Sequence, residues 1–340
     1  MDEPRFVIVD DYEPVAREWL PKVVYDYYAG GAGEEWTLAE NRRAFDRWIL
    51  RPRFLRATGP PDPSTDLFGT RISSPILVAP WAYQRLAHPD GERATARAAS
   101  SAGTIMVVST TAADDLEEVA KAGDMPKWWQ LYIFTDRGKT AEVLDRVAAA
   151  GYAAICWTVD FPANGLRHRD TRNGFVMPMG LEVDELVYDP MITWDDLAFI
   201  RKHVPGVPLL VKGILTAEDA ELALRAGVDG IVVSNHGGRQ LDSTAAGIDA
   251  LPEVVEAVAG RVPVLVDGGV RAGTSVVKAV ALGAAAVLVG RPAVWGLAAA
   301  GEEGVADVLR ILREEFENAM ALVGCRTVGD IGPEVVARAP

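Results

Sequence analysis

The sequence predicts an α/β protein of the (β/α)8 TIM barrel class, with a helical N-terminal extension and a shortened loop after strand 4. Three observations carry this. From residue 72 onward short β-branched runs alternate with alanine-rich helical segments, the pattern of a parallel sheet built from βα units. The runs number eight. A chain of 340 residues also exceeds an ordinary single domain unless the architecture is a barrel or a large sheet. A doubly wound open sheet is the competing layout, but the first strand lacks a GxGxxG turn and no second domain is evident.

The expected strands are ILVAP (76–80), TIMVVST (104–110), KWWQLYI (127–133), AAICWTVD (153–160), VPLLVKG (207–213), GIVVSN (230–235), VPVLVDGG (262–269) and AVLVGRP (286–292). Between them lie GERATARAASSAG, DDLEEVAKAG, TAEVLDRVAAAG, AEDAELALRAG, GIDALPEVVEAVAG and TSVVKAVALG, closing at glycines where a left-handed C-cap ends a helix. A last helix, ADVLRILREEFENAMALVG, follows strand 8. Residues 1–70 form the extension, 72–324 the barrel, and 1–340 one domain. Residues 161–206 are longer than a βα loop needs and are expected to cover the active-site face.

Composition excludes several function classes. Lys plus Arg total 34 against 48 Asp plus Glu, a net charge of −14, so neither nucleic acid nor an anionic membrane is an expected partner. The acidic N-terminus has no signal-peptide layout and no apolar run is long enough to span a bilayer, which predicts a soluble, cytoplasmic protein. Cys156 and Cys325 are far apart, Cys156 reads as a small core residue, and no HExxH or CxxC pattern supports a catalytic metal.

In a barrel the C-terminal strand ends form the active-site face. Those ends carry Gln130, Tyr132, Thr158, Asp160, Lys212, Asn235, His236, Asp267, Arg271 and Arg291. Strands 7 and 8 end in DGGVRAG and VGRP, where backbone N–H groups and an arginine can meet a phosphate. One such turn alone reads equally well as a tight turn; two on successive strands favour phosphate. Lys212 ends an apolar strand and suits an anionic partner, or snorkels at a strand end. His236 can act as a general base, with Asp160 accepting its other ring N–H. Arg239 and Arg167 together can hold a carboxylate, although either alone reads as a surface ion-pair partner. His88 looks like a loop or helix-entry residue, His203 looks exposed, and His168 adjoins Arg167.

The stretch SNHGGRQLD (234–242) resembles the signature of the FMN-dependent (S)-2-hydroxy acid oxidases and dehydrogenases, the glycolate oxidase, lactate oxidase and mandelate dehydrogenase group. The similarity continues through LPKVVYDYYAGGAGEEWTLAENRRAFDRW, ILVAPWAYQRLAHPDGE, WWQLYIFTDR, WTVDFPANGLRHRDTRNGF, LVKGILTAEDA, DGGVRAGTSVVKAVALGA and VGRP, nearly the whole chain. It implies FMN as cofactor, a small 2-hydroxy acid and O2 as partners, and a homo-oligomer, a tetramer. His236 is implied to take the substrate hydroxyl proton while hydride passes to flavin N5, with Asp160 supporting the imidazole. Arg167 and Arg239 are implied to bind the carboxylate, with Tyr27 and Tyr132 as further donors. Lys212 falls at flavin N1, where the reduced ring gathers charge. Pro80, Trp81 and Ala82 fall beside the flavin, with Ala82 near N5. Ser109, Gln130 and Thr158 fall on the isoalloxazine and ribityl groups. Asp267, Gly268, Gly269, Val270, Arg271, Gly290 and Arg291 fall on ribityl and phosphate.

The segment after Arg167 is shorter than in many of these proteins and lacks the insertion of the membrane-bound mandelate dehydrogenases. Thr111 stands where glycolate oxidase types carry tryptophan. AYQRLAHPDGE looks most like 4-hydroxymandelate oxidases, and Trp81, Tyr83, Met177 and Met179 are candidate pocket walls, which together predict an aromatic substrate. The competing expectations are a dehydrogenase using a quinone or protein acceptor, a lactate- or glycolate-specific oxidase, a lactate monooxygenase, an FMN barrel isomerase, and a flavin-binding module without catalysis.

Overall fold

The computed structural model describes residues 6–56, 59–176 and 188–340. The extension opens with three short helices, α1 (Tyr12–Trp19), α2 (Lys22–Ala29) and α3 (Trp36–Arg43). Trp48–Leu50 then pairs antiparallel with Val336–Arg338, tying the extension to the C-terminal end of the chain. A hairpin, Thr65–Leu67 with Thr70–Ile72, follows.

Eight parallel strands close the barrel: β1 (Ile76–Val78), β2 (Met106–Ser109), β3 (Lys127–Leu131), β4 (Ala154–Thr158), β5 (Leu209–Ile214), β6 (Gly230–Val233), β7 (Val264–Asp267) and β8 (Ala286–Val289), with β8 pairing back on β1. Every expected strand is present. Each is shorter than its apolar run, and all but the fifth, which runs on to Ile214, stop short of the expected C-terminal end. Tyr132, Asp160, Asn235 and Gly268 therefore lie just past their strands, where a side chain can face a ligand.

Helices pack around the strands: α4 (Gly91–Ser101), α5 (Leu116–Lys121), α6 (Arg137–Ala149), α7 (His168–Asn173), α8 (Asp196–His203), α9 (Ala217–Ala226), α10 (Gly247–Val258), α11 (Gly273–Ala281) and α12 (Arg291–Val323). The glycines expected to close the barrel helices, Gly103, Gly123, Gly151, Gly227, Gly260 and Gly283, all have positive φ. The last helix departs from expectation. It begins at Arg291, directly behind the β8 turn, and is interrupted at Ala300 and Gly301 before continuing to Val323.

Two apolar layers hold this arrangement. Alternate strand residues, among them Leu77, Val107, Trp128, Cys156, Leu210 and Leu265, fill the barrel interior together with Leu67 and Ile72 of the hairpin. The opposite strand faces and the helices form the larger outer layer. Cys156 is thus an interior packing residue, and burial pushes its thiol up to about 12. His203 is not exposed as expected: its ring packs on Phe199 and its Nδ1 lies 2.8 Å from Asp145 Oδ1. Among the described residues no helix is long and apolar enough to cross a membrane, and no group of His, Cys, Asp and Glu is arranged to hold a metal.

Candidate active site

A cavity of about 630 Å3 opens at the C-terminal ends of the strands beneath the N-terminal extension. Its wall holds every expected site residue except Asp160: Tyr27, Pro80, Trp81, Ala82, Ser109, Gln130, Tyr132, Thr158, Arg167, Lys212, His236, Arg239, the run Asp267 to Arg271, Gly290 and Arg291. Met177 and Met179 lie outside the described residues.

The turn after β6 answers why its sequence is SNHGGRQLD. His236, Gly237 and Gly238 all have positive φ, with His236 at 59°, a conformation costly for a residue with a Cβ and held only by its surroundings. Asn235 holds it. Its Oδ1 accepts from Gly238 N at 3.0 Å and from Asn41 Nδ2 at 2.9 Å, and its Nδ2 donates to Asn41 Oδ1 at 2.7 Å. Gly238 is required because a Cβ there would lie 2.7 Å from Leu38 backbone atoms. Asp242 accepts from Glu34 N at 2.9 Å and Thr37 N at 2.8 Å, so it caps α3 from some two hundred residues away. The turn thereby carries the histidine and docks the extension as a roof.

The His236 Nδ1 lies 2.9 Å from Asp160 Oδ1, and its Nε2 lies 3.3 Å from the Tyr132 hydroxyl. The β5 bulge at Gly213 makes room for Asp160, since a Cβ there would fall 2.6 Å from the Asp160 Cβ. Burial pulls the imidazole below its usual range, outweighing the charge of Asp160 that favours imidazolium. Burial would raise the Asp160 carboxyl, but the charges of His236 and Lys212 outweigh that and hold it low. The resting pair is a neutral imidazole beside a carboxylate, with Nδ1–H donated to Asp160 and the Nε2 lone pair toward the cavity. Burial and the Asp160 charge push the Tyr132 phenol well up, so its hydroxyl stays a donor.

Arg239 stands at the same end. Its Nη1 donates to Tyr27 O at 2.6 Å and Gly30 O at 3.0 Å, and its guanidinium lies 5.1 Å from the Tyr27 ring centre. Burial, helped by Arg167, pushes it down to about 10. An arginine does not lose its proton in a protein, so that cost expresses itself as a demand for an anion. Arg167 adds a buried Nε without a partner. Asp170, which the sequence reading missed, lines the cavity beside both arginines; burial raises its carboxyl against their charges.

A different set of polar groups lines another part of the cavity. Lys212 is buried, donating to Ser234 Oγ at 2.8 Å and lying 3.3 Å from Asp267 Oδ2. Burial pulls its ammonium down, but Asp267 and Asp160 outweigh that and keep it charged. Gln130 Oε1 accepts from Ser109 Oγ and Thr110 N, each at 3.2 Å, which turns Nε2 away. That Nε2, Thr158 Oγ1 and Asp267 Oδ1 are buried without partners. Gly268 and Gly269 have positive φ, and a Cβ on Gly269 would lie 1.8 Å from Asn41 O. Burial pushes Arg271 down to about 10 and Arg291 to about 9. Arg291 donates to the carbonyls of Tyr28, Gly237 and Gly30 at 2.9–3.0 Å, so it also stitches the extension to the rim.

Residues 16–338 match a known family described as FMN-dependent dehydrogenase. The chain belongs to the FMN-dependent dehydrogenase family. Its cavity fits the cofactor of that family, because the unpartnered atoms of Gln130, Thr158 and Asp267 are hydrogen-bonding positions that only a polar ligand can satisfy. The chain is 49% identical over 345 residues to "Glycolate oxidase 1" of Oryza sativa subsp. japonica, covering 95% of this chain and 93% of that one. It is 47% identical over 363 residues to "2-Hydroxyacid oxidase 1" of Homo sapiens, covering 99% and 98%. A crystal structure of mandelate oxidase with 3,3-difluoro-2-hydroxy-3-phenylpropionic acid superimposes with a TM-score of 0.93 at 46% identity, over 98% of this chain and 99% of that one.

Four aromatic side chains complete the cavity and escaped the sequence reading. Phe161 lies 5.1 Å from Tyr132 and 6.2 Å from His236 between ring centres, and Tyr188 lies 4.6 Å from Tyr132. Phe175 stacks on Tyr27 at 4.6 Å, and Tyr28 meets Trp81 edge-on at 5.7 Å. Phe161 had a usable signal, an aromatic directly after the strand-end aspartate.

Proposed function

We propose that this protein oxidises an (S)-2-hydroxy acid with an aromatic side chain to the 2-oxo acid and passes the electrons to O2, giving H2O2. The observation that carries the reading is the shared cavity: the Nε2 of a neutral histidine faces the same space as two arginines, Arg239 and Arg167. A substrate carboxylate seated on the arginines leaves its α-hydroxyl for His236.

In this account His236 Nε2 takes the hydroxyl proton as the α-hydrogen leaves with its electron pair. FMN, when bound, would supply the acceptor for that electron pair and the means of passing it to O2. Asp160 stabilises the imidazolium, and Tyr132 and Tyr27 donate hydrogen bonds to substrate oxygens. Lys212 would balance negative charge on the reduced cofactor, Pro80, Trp81, Ala82, Ser109, Gln130 and Thr158 would hold its ring and ribityl groups, and Asp267 to Arg271 with Gly290 and Arg291 would hold its ribityl and phosphate groups. The aromatic preference rests on the walls formed by Tyr83, Phe161, Phe175 and Tyr188 and on the small Thr111. Apolar walls separate substrates by about 1–3 kcal/mol, so (S)-mandelate should exceed glycolate and lactate in kcat/KM by about tenfold or more. Peroxide assays with the three acids test this, and glycolate in the lead overturns the aromatic preference.

We further read the chain as one domain, a cytoplasmic homotetramer. Light scattering and cell fractionation test the assembly and its location.

A further inference from the structure

The loop after β4 and the N-terminal extension each deliver one substrate-facing group, Arg167 and Tyr27. A backbone hydrogen bond from Gly33 N to Leu166 O at 2.9 Å joins the two segments beside Arg167, and a polar clamp adds to it. Arg169, in the first turn of α7, donates from Nη2 to Glu35 Oε2 at 2.5 Å and holds Nη1 3.6 Å from Asp26 Oδ1. Asn173, at the end of the same helix, donates from Nδ2 to Asp26 Oδ2 at 2.7 Å and accepts from Lys22 Nζ at 3.2 Å.

Both carboxylates are tied to the elements that matter. Asp26 immediately precedes Tyr27 on α2, and Glu35 Oε1 accepts from Gly31 N at 3.0 Å, fixing the glycine loop whose Gly30 carbonyl accepts from Arg239. The clamp also brings Phe175, two residues past Asn173, into its stack on Tyr27, with ring planes 11° apart. Arg169 lies on the cavity rim, but these two carboxylates engage its guanidinium. A salt-bridge network joining two separate segments fixes register where an isolated exposed pair would contribute little.

We propose that Arg169 is a positioning residue for substrate binding: by bridging Asp26 and Glu35 it sets the separation of Tyr27 and Arg167. This rests on the reading that Arg167 binds the substrate carboxylate and Tyr27 donates a hydrogen bond to the substrate. The sequence RHRD places Arg169 two residues beyond Arg167, on a helix too short to be stable alone, so the clamp supplies order that the helix lacks.

The test uses FMN-loaded holoenzyme with (S)-mandelate as the probe. Arg169→Ala is expected to raise KM about fivefold or more while kcat falls less than about twofold, with flavin content unchanged. Arg169→Lys, which keeps the charge but not the fork, recovers part of the loss. Glu35→Gln, which retains the acceptor for Gly31, raises KM in the same way, and Arg169→Ala adds little in that background because both remove one interaction. A KM within about twofold of wild type in Arg169→Ala, or additive effects in the double variant, overturns the proposal. Arg167→Met separates the two claims. If it raises KM while Arg169→Ala does not, only the positioning role falls; if it leaves KM unchanged, the carboxylate reading falls and the proposal with it.

Discussion

Replacing Asp160 by asparagine removes one charge and almost no volume, so it isolates what the carboxylate contributes. With Nδ1 and Oδ1 2.9 Å apart, the two charge centres in the imidazolium state lie roughly 4 Å apart, and at an effective dielectric near 20 such a pair interacts by about 4 kcal/mol. Asparagine retains a hydrogen-bond acceptor and so part of that stabilisation. The loss in kcat/KM is therefore about 10²- to 10³-fold, at about 1.4 kcal/mol per tenfold. The pH profile shifts as well. Activity needs the neutral imidazole and rises with pH through its pKa, and the Asp160 charge partly offsets the downward pull of burial on that pKa. Without the charge the acid limb moves to lower pH while the plateau drops. Anaerobic stopped-flow recording of flavin bleaching with (S)-mandelate across pH 5–9 measures both. A plateau within about tenfold of wild type, or an acid limb moved to higher pH, refutes the reasoning.

Other consequences are smaller or bear on the scaffold. Tyr132→Phe removes one neutral hydrogen bond to His236, worth about 0.5–1.5 kcal/mol, and should lower kcat/KM by about tenfold or less in steady-state assays. Gly269→Ala places a Cβ 1.8 Å from the Asn41 carbonyl, so the extension must lift, and bound flavin measured by absorbance should fall sharply. Glu92 is fully buried, its Oε1 accepting from Gln84 N at 3.1 Å and Ala113 N at 2.9 Å, and burial pushes its carboxyl to about 7. The fold therefore favours protonated Glu92, a contribution complete below the ordinary glutamate range and lost as pH rises through 7. The shift from 4.5 bounds this at about 3 kcal/mol. Glu92→Gln keeps the Oε1 acceptor and should raise Tm at pH 8 but not at pH 4.5, and a lower Tm at pH 8 would contradict the assignment.

The barrel was legible because nearly every strand carries its own β-branched run and six of the barrel helices a closing glycine, signals written within a few residues of one another. The rim chemistry was legible for the same reason: a strand end in this fold has one destination, so Lys212, His236, Asp267 and Arg291 could be placed by position. What the sequence concealed is long-range. Asn41 reads as an ordinary helix residue until it pairs with Asn235, and Asp242 reads as the tail of a motif until it caps α3. Arg291 reads as a phosphate ligand, yet three of its hydrogen bonds go to carbonyls of the extension and the rim loop. Tyr27, found only through resemblance, depends on that same docking. Helical periodicity records which face of α2 is buried and says nothing of the surface that covers it.

The central claim is that His236 is the base for a hydroxy acid held by Arg167 and Arg239, and one anaerobic experiment bears on it most directly. FMN-loaded wild type and His236→Ala, matched in flavin content, are mixed with (S)-mandelate and the visible band is followed before air is admitted. The account predicts rapid bleaching and recovery in air for wild type, and bleaching slowed by at least about 10³-fold in the variant. A flavin-loaded His236→Ala protein that bleaches at close to the wild-type rate would contradict it.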